Sequence, residues 1–75
     1  MPGLPVCSGT SAIRAFRLAG WKVARQKGSH VSLTKEGVRA VLTVPLHQEL
    51  APGTVRKLIR LSGLTVEEFS KYLNS

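Results

Sequence analysis

The 75-residue sequence contains no aspartate and only four glutamates, Glu36, Glu49, Glu67 and Glu68, against 11 lysines and arginines. Two of these glutamates stand in separate turn and loop segments, and the adjacent pair cannot converge on one helix face. The converging carboxylates that two-metal nuclease chemistry requires are therefore not provided. Cys7 is the only cysteine, so there is no internal disulfide. A zinc site would have to draw Cys7, His30, His47 and Glu49 from three segments that lack C-x-x-C or H-x-x-x-H spacing. No glycine-rich loop joins a strand to a helix, since Gly28 falls in a hairpin and Gly53 precedes Thr54 alone. Neither a metal nor a small-molecule cofactor is expected. Apolar runs such as Val41-Leu42-Thr43-Val44 fall far short of the roughly 20 residues of a membrane span. Met1 to Cys7 shows no cationic region followed by an apolar run, so the expected location is cytoplasmic. Aromatic residues make up 5% of the chain, and Phe16, Trp21, Phe69 and Tyr72 fall on or near apolar stripes. They read as core, not as a platform for stacking bases.

What is present is positive charge, a formal +7, together with 43% hydrophobic residues. That apolar content is too high for a disordered basic tail and suits one soluble domain over residues 1–75, with 1–7 an irregular lead-in. A surplus of cations on so small a surface attracts phosphate polyanions. Basic residues occur in every segment from Arg14 to Lys71 and are not gathered on one long amphipathic helix. Nucleic acid is accordingly the expected partner in preference to a membrane surface, while the plain alternative is that the charge only aids solubility.

Ser8 or Thr10 can cap a helix over about 10–19, where Ala12, Ile13, Phe16 and Ala19 recur at helical spacing before Gly20. The period then changes to two. Trp21 and Val23, Val31 and Leu33, and Ala40, Leu42 and Val44 each alternate with polar or outward residues, which predicts three short strands. Lys27-Gly28 suits a two-residue turn and Lys35-Glu36-Gly37 a three-residue loop, giving an antiparallel meander. With Trp21, Val23, Val31, Leu33, Leu42 and Val44 inward, alternation places Lys22, Gln26, His30, Ser32, Thr34, Arg39 and Thr43 on the other face. Beyond Pro45, Thr54 is expected to cap a helix with Val55, Leu58, Ile59 and Leu61 on its apolar side, Arg56, Lys57 and Arg60 outward, and Gly63 at its end. Thr65-Val66-Glu67-Glu68 forms a capping box before a last helix carrying Val66, Phe69 and Leu73. The predicted fold is α+β, in the order α-β-β-β-α-α, with the helices on the apolar face of a three-stranded antiparallel sheet.

His30 is the one residue of this polar face suited to proton transfer. By alternation it stands among Lys22, Lys27 and Arg25 or Gln26, a lone candidate base for the proton of an RNA 2′-hydroxyl. On spacing alone the reading of His30 as a plain polar residue of a solvated strand face is the stronger one. His47, in the loop after Pro45, could contact phosphate, bond a backbone carbonyl or face water. Cys7 reads as a small inert hydrophobe.

Four runs carry a family resemblance: Arg25-Gln26-Lys27-Gly28-Ser29-His30 before a strand, Val44-Pro45-Leu46-His47, Gly53-Thr54-Val55-Arg56-Lys57-Leu58-Ile59, and Ser62-Gly63-Leu64-Thr65-Val66-Glu67-Glu68-Phe69. In this order they resemble the HicA family of mRNA-interferase toxins over nearly the whole chain, with Ser8-Gly9 and Ala19-Gly20-Trp21 also similar. The resemblance implies a fold like a double-stranded-RNA-binding domain, mRNA cleavage with growth arrest, and inhibition by a HicB-type antitoxin. The family's catalytic histidine corresponds to His30, its turn glycine to Gly28, and Ser29 lies between them. Lys22, Arg25, Lys27, Gly28, Ser29, Arg39 and His47 are then the candidate RNA-binding residues.

Two other classes of function fit parts of the sequence. Leu58 to Ser70 reads as two helices about a glycine-containing turn, the pattern of a helix-turn-helix DNA-binding protein. Such a recognition helix would present Glu67 and Glu68 to a polyanion, and the strands would be unexplained. The other is an RNA-binding module without catalysis, which a cleavage assay separates from the toxin.

Overall fold

The computed structural model describes residues 3–75. Its elements are α1 (Gly9–Leu18), β1 (Lys22–Lys27), β2 (His30–Lys35), β3 (Val38–Pro45), α2 (Pro52–Ser62) and α3 (Val66–Leu73). Residues 3–8 form neither helix nor strand, and Met1 and Pro2, the rest of the expected lead-in, lie outside the described residues.

Each helix boundary has a local cause. Ser8 Oγ accepts the Ser11 amide at 3.0 Å and starts α1. At its other end Gly20 takes φ 103°, and the Lys35 ammonium donates to the Ala19 carbonyl at 3.0 Å, where the helix dipole favours a cation. Thr54 does not cap α2 as expected. The N-cap is Ala51, without a side-chain bond, and Pro52 opens the helix. Proline presets the helical φ, and the amide it lacks would have had no partner there. Gly63, at φ 78°, ends α2. The Thr65 capping box forms as read: Thr65 Oγ1 accepts the Glu68 amide at 3.0 Å, and Glu68 Oε1 accepts the Thr65 amide at 2.9 Å.

The sheet is antiparallel in the order β1-β2-β3. Both turns differ from expectation in their position or length. Lys27 pairs with His30, so the first turn is Gly28-Ser29, with Gly28 at φ 58°. Lys35 pairs with Val38, so the second is the two-residue Glu36-Gly37 turn, with Gly37 at φ 80°. Residues at positive φ match the twist of the strands they join.

Strict alternation also fails in β1. Val23 lies opposite Leu33, but Arg25 lies opposite Ser32, which leaves Ala24 as a bulge. The extra residue resets the faces. Arg25 and Lys27 join the outer face with Ser32 and His30, whereas Gln26, expected outward, lies opposite the buried Val31. Val23 was expected in the core but is 46% exposed, because β1 is an edge strand with a neighbour on one side only.

Leu33, Leu42, Val44 and Phe16 are fully buried, with Trp21 and Phe69 nearly so. The rings of Phe16 and Phe69 stand 4.9 Å apart, and the Arg14 guanidinium donates to the Leu73 carbonyl at 2.7 Å, which fastens α3 to α1. From α2, Val55, Leu58 and Ile59 enter the core, but Leu61 is 36% exposed and stands outside it. Gly9 allows α1 to meet the end of β3: a Cβ there would lie 2.0 Å from the Pro45 carbonyl oxygen. The result is an α+β fold like that of a double-stranded-RNA-binding domain, with helices packed against a three-stranded sheet.

Candidate nucleic-acid interface

His30 is the first residue of β2, directly after the Gly28-Ser29 turn, and its side chain is exposed. Residues opposed across antiparallel strands share a face. Two rows therefore cross this end of the sheet, Lys27–His30–Pro45 and Arg25–Ser32–Thr43. Together with Gly28 and Ser29 they border an open cleft of about 570 Å³ lined by Arg25, Lys27, His30, Ser32 and Thr43.

A second cleft, of about 290 Å³, lies between β3 and α2. His30 and Thr43 border both clefts. The remaining walls of the second are Val41, Pro45, Leu58 and Leu61, with the polar Thr54 and Lys57. No carboxylate lines either cleft, so the imidazole sits between Arg25 and Lys27 on one side and Lys57 on the other.

Backbone hydrogen bonds hold this end of the sheet to the loop after β3. The Leu46 amide donates to the Ser29 carbonyl at 2.7 Å, the Gly9 amide to the His47 carbonyl at 2.9 Å, and the Leu50 amide to the Cys7 carbonyl at 2.8 Å. The Gln26 side-chain amide donates to the Gly28 carbonyl at 3.3 Å, so of the two residues left open beside His30, Arg25 or Gln26, the glutamine braces the turn instead.

Of the candidate residues, Arg25, Lys27, Gly28 and Ser29 are brought together with His30. Lys22 and Arg39 are not. Lys22 lies opposite Thr34, four residues along β2 from His30, or roughly 13 Å at ~3.3 Å per residue. Arg39 follows Val38, which pairs at the same far end of the sheet. His47 is exposed and lines neither cleft. Thr54 and Lys57 were not foreseen beside His30. Their placement depends on how α2 lies along β3, and the only local trace is that residue 57 flanks the buried Leu58.

Cys7 is buried, and desolvation pushes its thiol up from the ordinary range, which fits an inert role. Among the described residues no three His, Cys, Asp or Glu side chains gather into a metal-holding group, and no helix is long and apolar enough to cross a membrane.

A family model described as "HicA toxin of bacterial toxin-antitoxin" matches residues 9–64, a span that runs from the start of α1 past the end of α2. The chain belongs to the HicA toxin family of bacterial toxin–antitoxin systems. No curated protein matches it. The HicA match contains His30 and every residue that lines the two clefts, while α3 lies beyond it. Both clefts of this HicA chain are thus built wholly from matched elements, and α3 serves the core through Phe69.

Proposed function

We propose that this HicA toxin is an endoribonuclease that cuts mRNA in the cytoplasm without a metal, with His30 as the general base. The observation that carries the reading is the position of His30: exposed, at the meeting of two clefts whose linings include Arg25, Lys27 and Lys57 and no carboxylate. His30 takes the proton of an RNA 2′-hydroxyl. The 2′-oxygen then forms a bond to the adjacent phosphorus as the bond from phosphorus to the 5′-oxygen breaks, and that oxygen takes a proton from water. A 2′,3′-cyclic phosphate and a 5′-hydroxyl result. Arg25 and Lys27 neutralise the phosphate, Gly28 and Ser29 set the turn that presents His30, and Lys22, Arg39 and His47 extend the contact with RNA.

The test is incubation of the purified toxin with single-stranded RNA in the presence of chelator. Cleavage is expected, with no cutting of DNA or of RNA carrying 2′-deoxyribose at the cut. Cleavage of DNA, or dependence on added metal, would overturn the mechanism. RNA that is bound but not cut would return the non-catalytic module.

A message-cutting enzyme must be restrained, and the toxin–antitoxin assignment implies a cognate antitoxin. We propose a HicB-type protein with an acidic surface that covers the face carrying Lys22, Lys27, His30 and Arg39, matching its potential and excluding RNA. The complex should neither bind nor cut RNA. An inhibited complex that still binds RNA at wild-type affinity would overturn occlusion.

A further inference from the structure

The endoribonuclease reading assigns no role to the cleft between β3 and α2, although His30 borders it as directly as it borders the cationic cleft. The two sides of His30 differ in chemistry. One side carries Arg25 and Lys27 with hydroxyls and turn backbone, a surface for phosphates. The other has aliphatic walls, Val41, Pro45 and Leu61, over the buried Leu58, with a single cation, Lys57, and the hydroxyls of Thr43 and Thr54. Apolar walls with a few placed polar groups are what an unstacked nucleobase requires, while an ammonium at the rim suits the phosphate attached to it. Val41 is 49% exposed and Leu61 36%, on an outer face that is otherwise polar, and neither takes part in the core cluster.

We infer that the cleft between β3 and α2 holds one nucleotide of single-stranded RNA next to the scissile phosphate, its base against Val41, Pro45 and Leu61 and its phosphate on Lys57. The inference rests on the endoribonuclease reading for the identity of the strand, and on the continuity of both clefts through His30 and Thr43 for its path. In a duplex the base is stacked and cannot enter, so the cleft makes this protein, despite a fold like that of a duplex-RNA binder, selective for single strands.

The test uses the full chain and a short, uncleavable 2′-O-methyl RNA, titrated by fluorescence anisotropy as a single strand and as a duplex. Changing Val41 and Leu61 together to Ser should weaken single-strand binding about fivefold to tenfold, the low end of what base stacking supplies, and leave duplex binding unchanged. Lys57→Ala should lower the log–log salt slope by about 0.7, and Lys57→Arg should restore it. A thermal melt checks the fold, and Val41→Thr with Leu61→Thr serves if the Ser pair does not fold. Wild-type affinity of these variants for the single strand, or an equal loss for the duplex, overturns the inference. So does loss of antitoxin binding with RNA binding intact, which would make the cleft a protein anchor. Cleavage of ordinary RNA separates this result from the parent reading. If wild-type protein fails to cut but its single-strand binding depends on the cleft, the nuclease reading fails and the cleft assignment stands. If it cuts and the cleft variants bind and cut normally, the reverse holds.

Discussion

The two faces of the sheet divide the molecule's work residue by residue. Along β2, Val31 and Leu33 are 4% and 0% exposed and belong to the core side, whereas His30, Ser32 and Thr34 alternate with them and face outward. The inner face is packed against helices and contributes stability through apolar burial. The outer face has a histidine, cations and hydroxyls with few partners in the protein. Because the two sets interleave on one strand, loss of function and loss of fold should be separable by moving a substitution a single residue.

The largest effect is expected at His30. His30→Ala should lower RNA cleavage by about 10²- to 10⁴-fold, the usual cost of removing a positioned base, with an unchanged melting temperature. Full activity in a well-folded His30→Ala protein would remove the outer face's claim to chemistry. On the inner face, Leu33→Ala should cost about 2–5 kcal/mol of stability, measured by urea denaturation. A domain of this size has only ~0.05–0.15 kcal/mol per residue to lose, so partial unfolding at 37 °C is expected. The surviving folded fraction should retain normal specific activity, and a specific loss there would break the division between faces.

A smaller effect distinguishes the two ends of the outer face. Changing Arg25 and Lys27 to Ala should lower the salt slope of single-strand binding by about 1.4, at ~0.7 per phosphate contact, and weaken cleavage. The same change at Lys22 and Arg39 should alter cleavage less, since they lie away from His30. Equal effects would make the whole face a uniform field and not a site with an end. Smallest of all is deletion of Ala24. Shortening a strand by one residue ordinarily turns every later side chain over. Here deletion should leave a regular ladder with Arg25 opposite Ser32 and Lys27 opposite His30, so RNA binding should be retained. Loss of binding in a folded deletion variant would show that the bulge does more than restore the faces.

Ala24 also marks where the sequence stops being legible. The helices could be read because their causes are local: Ser8, Gly63 and the Thr65–Glu68 box act within a few residues of where they stand. The order of elements and the buried residues of β2 and β3 followed from periodicity for the same reason. A bulge has no such signature, since an alanine in a strand looks the same whether it is paired or extra. Reading through it put Gln26 on the outer face and left Arg25 or Gln26 open as the neighbour of His30. The shift of the first turn to Gly28-Ser29 was also hidden, because Gly28 suits either position of a tight turn. His30 itself was legible as the lone candidate base of the polar face, but spacing favoured a plain polar strand residue until the family pattern singled it out. Lys57 and Thr54 could not be linked to it at all, because the approach of α2 to β3 is set by side chains packing across the core.

The hydrogen bond from the Leu46 amide to the Ser29 carbonyl has a consequence for how the His30 end of the sheet breathes. Ser29 precedes His30, and the next residue of the loop, His47, accepts the amide of Gly9, the first residue of α1. Moving the turn and this loop apart from α1 would free two amides that have no second backbone partner among the described residues, one of them at a helix start. Local opening at His30 is coupled to the packing of α1, so the site should open only with the domain. In native-state hydrogen exchange the Leu46 and Gly9 amides should then exchange at the slow, global rate of the Leu33 and Leu42 amides, although they sit in a loop and at a helix end where fraying is the rule. Fast exchange at Leu46 alone would instead mark the turn as a unit that opens independently, with His30 able to leave its place while the core stays closed.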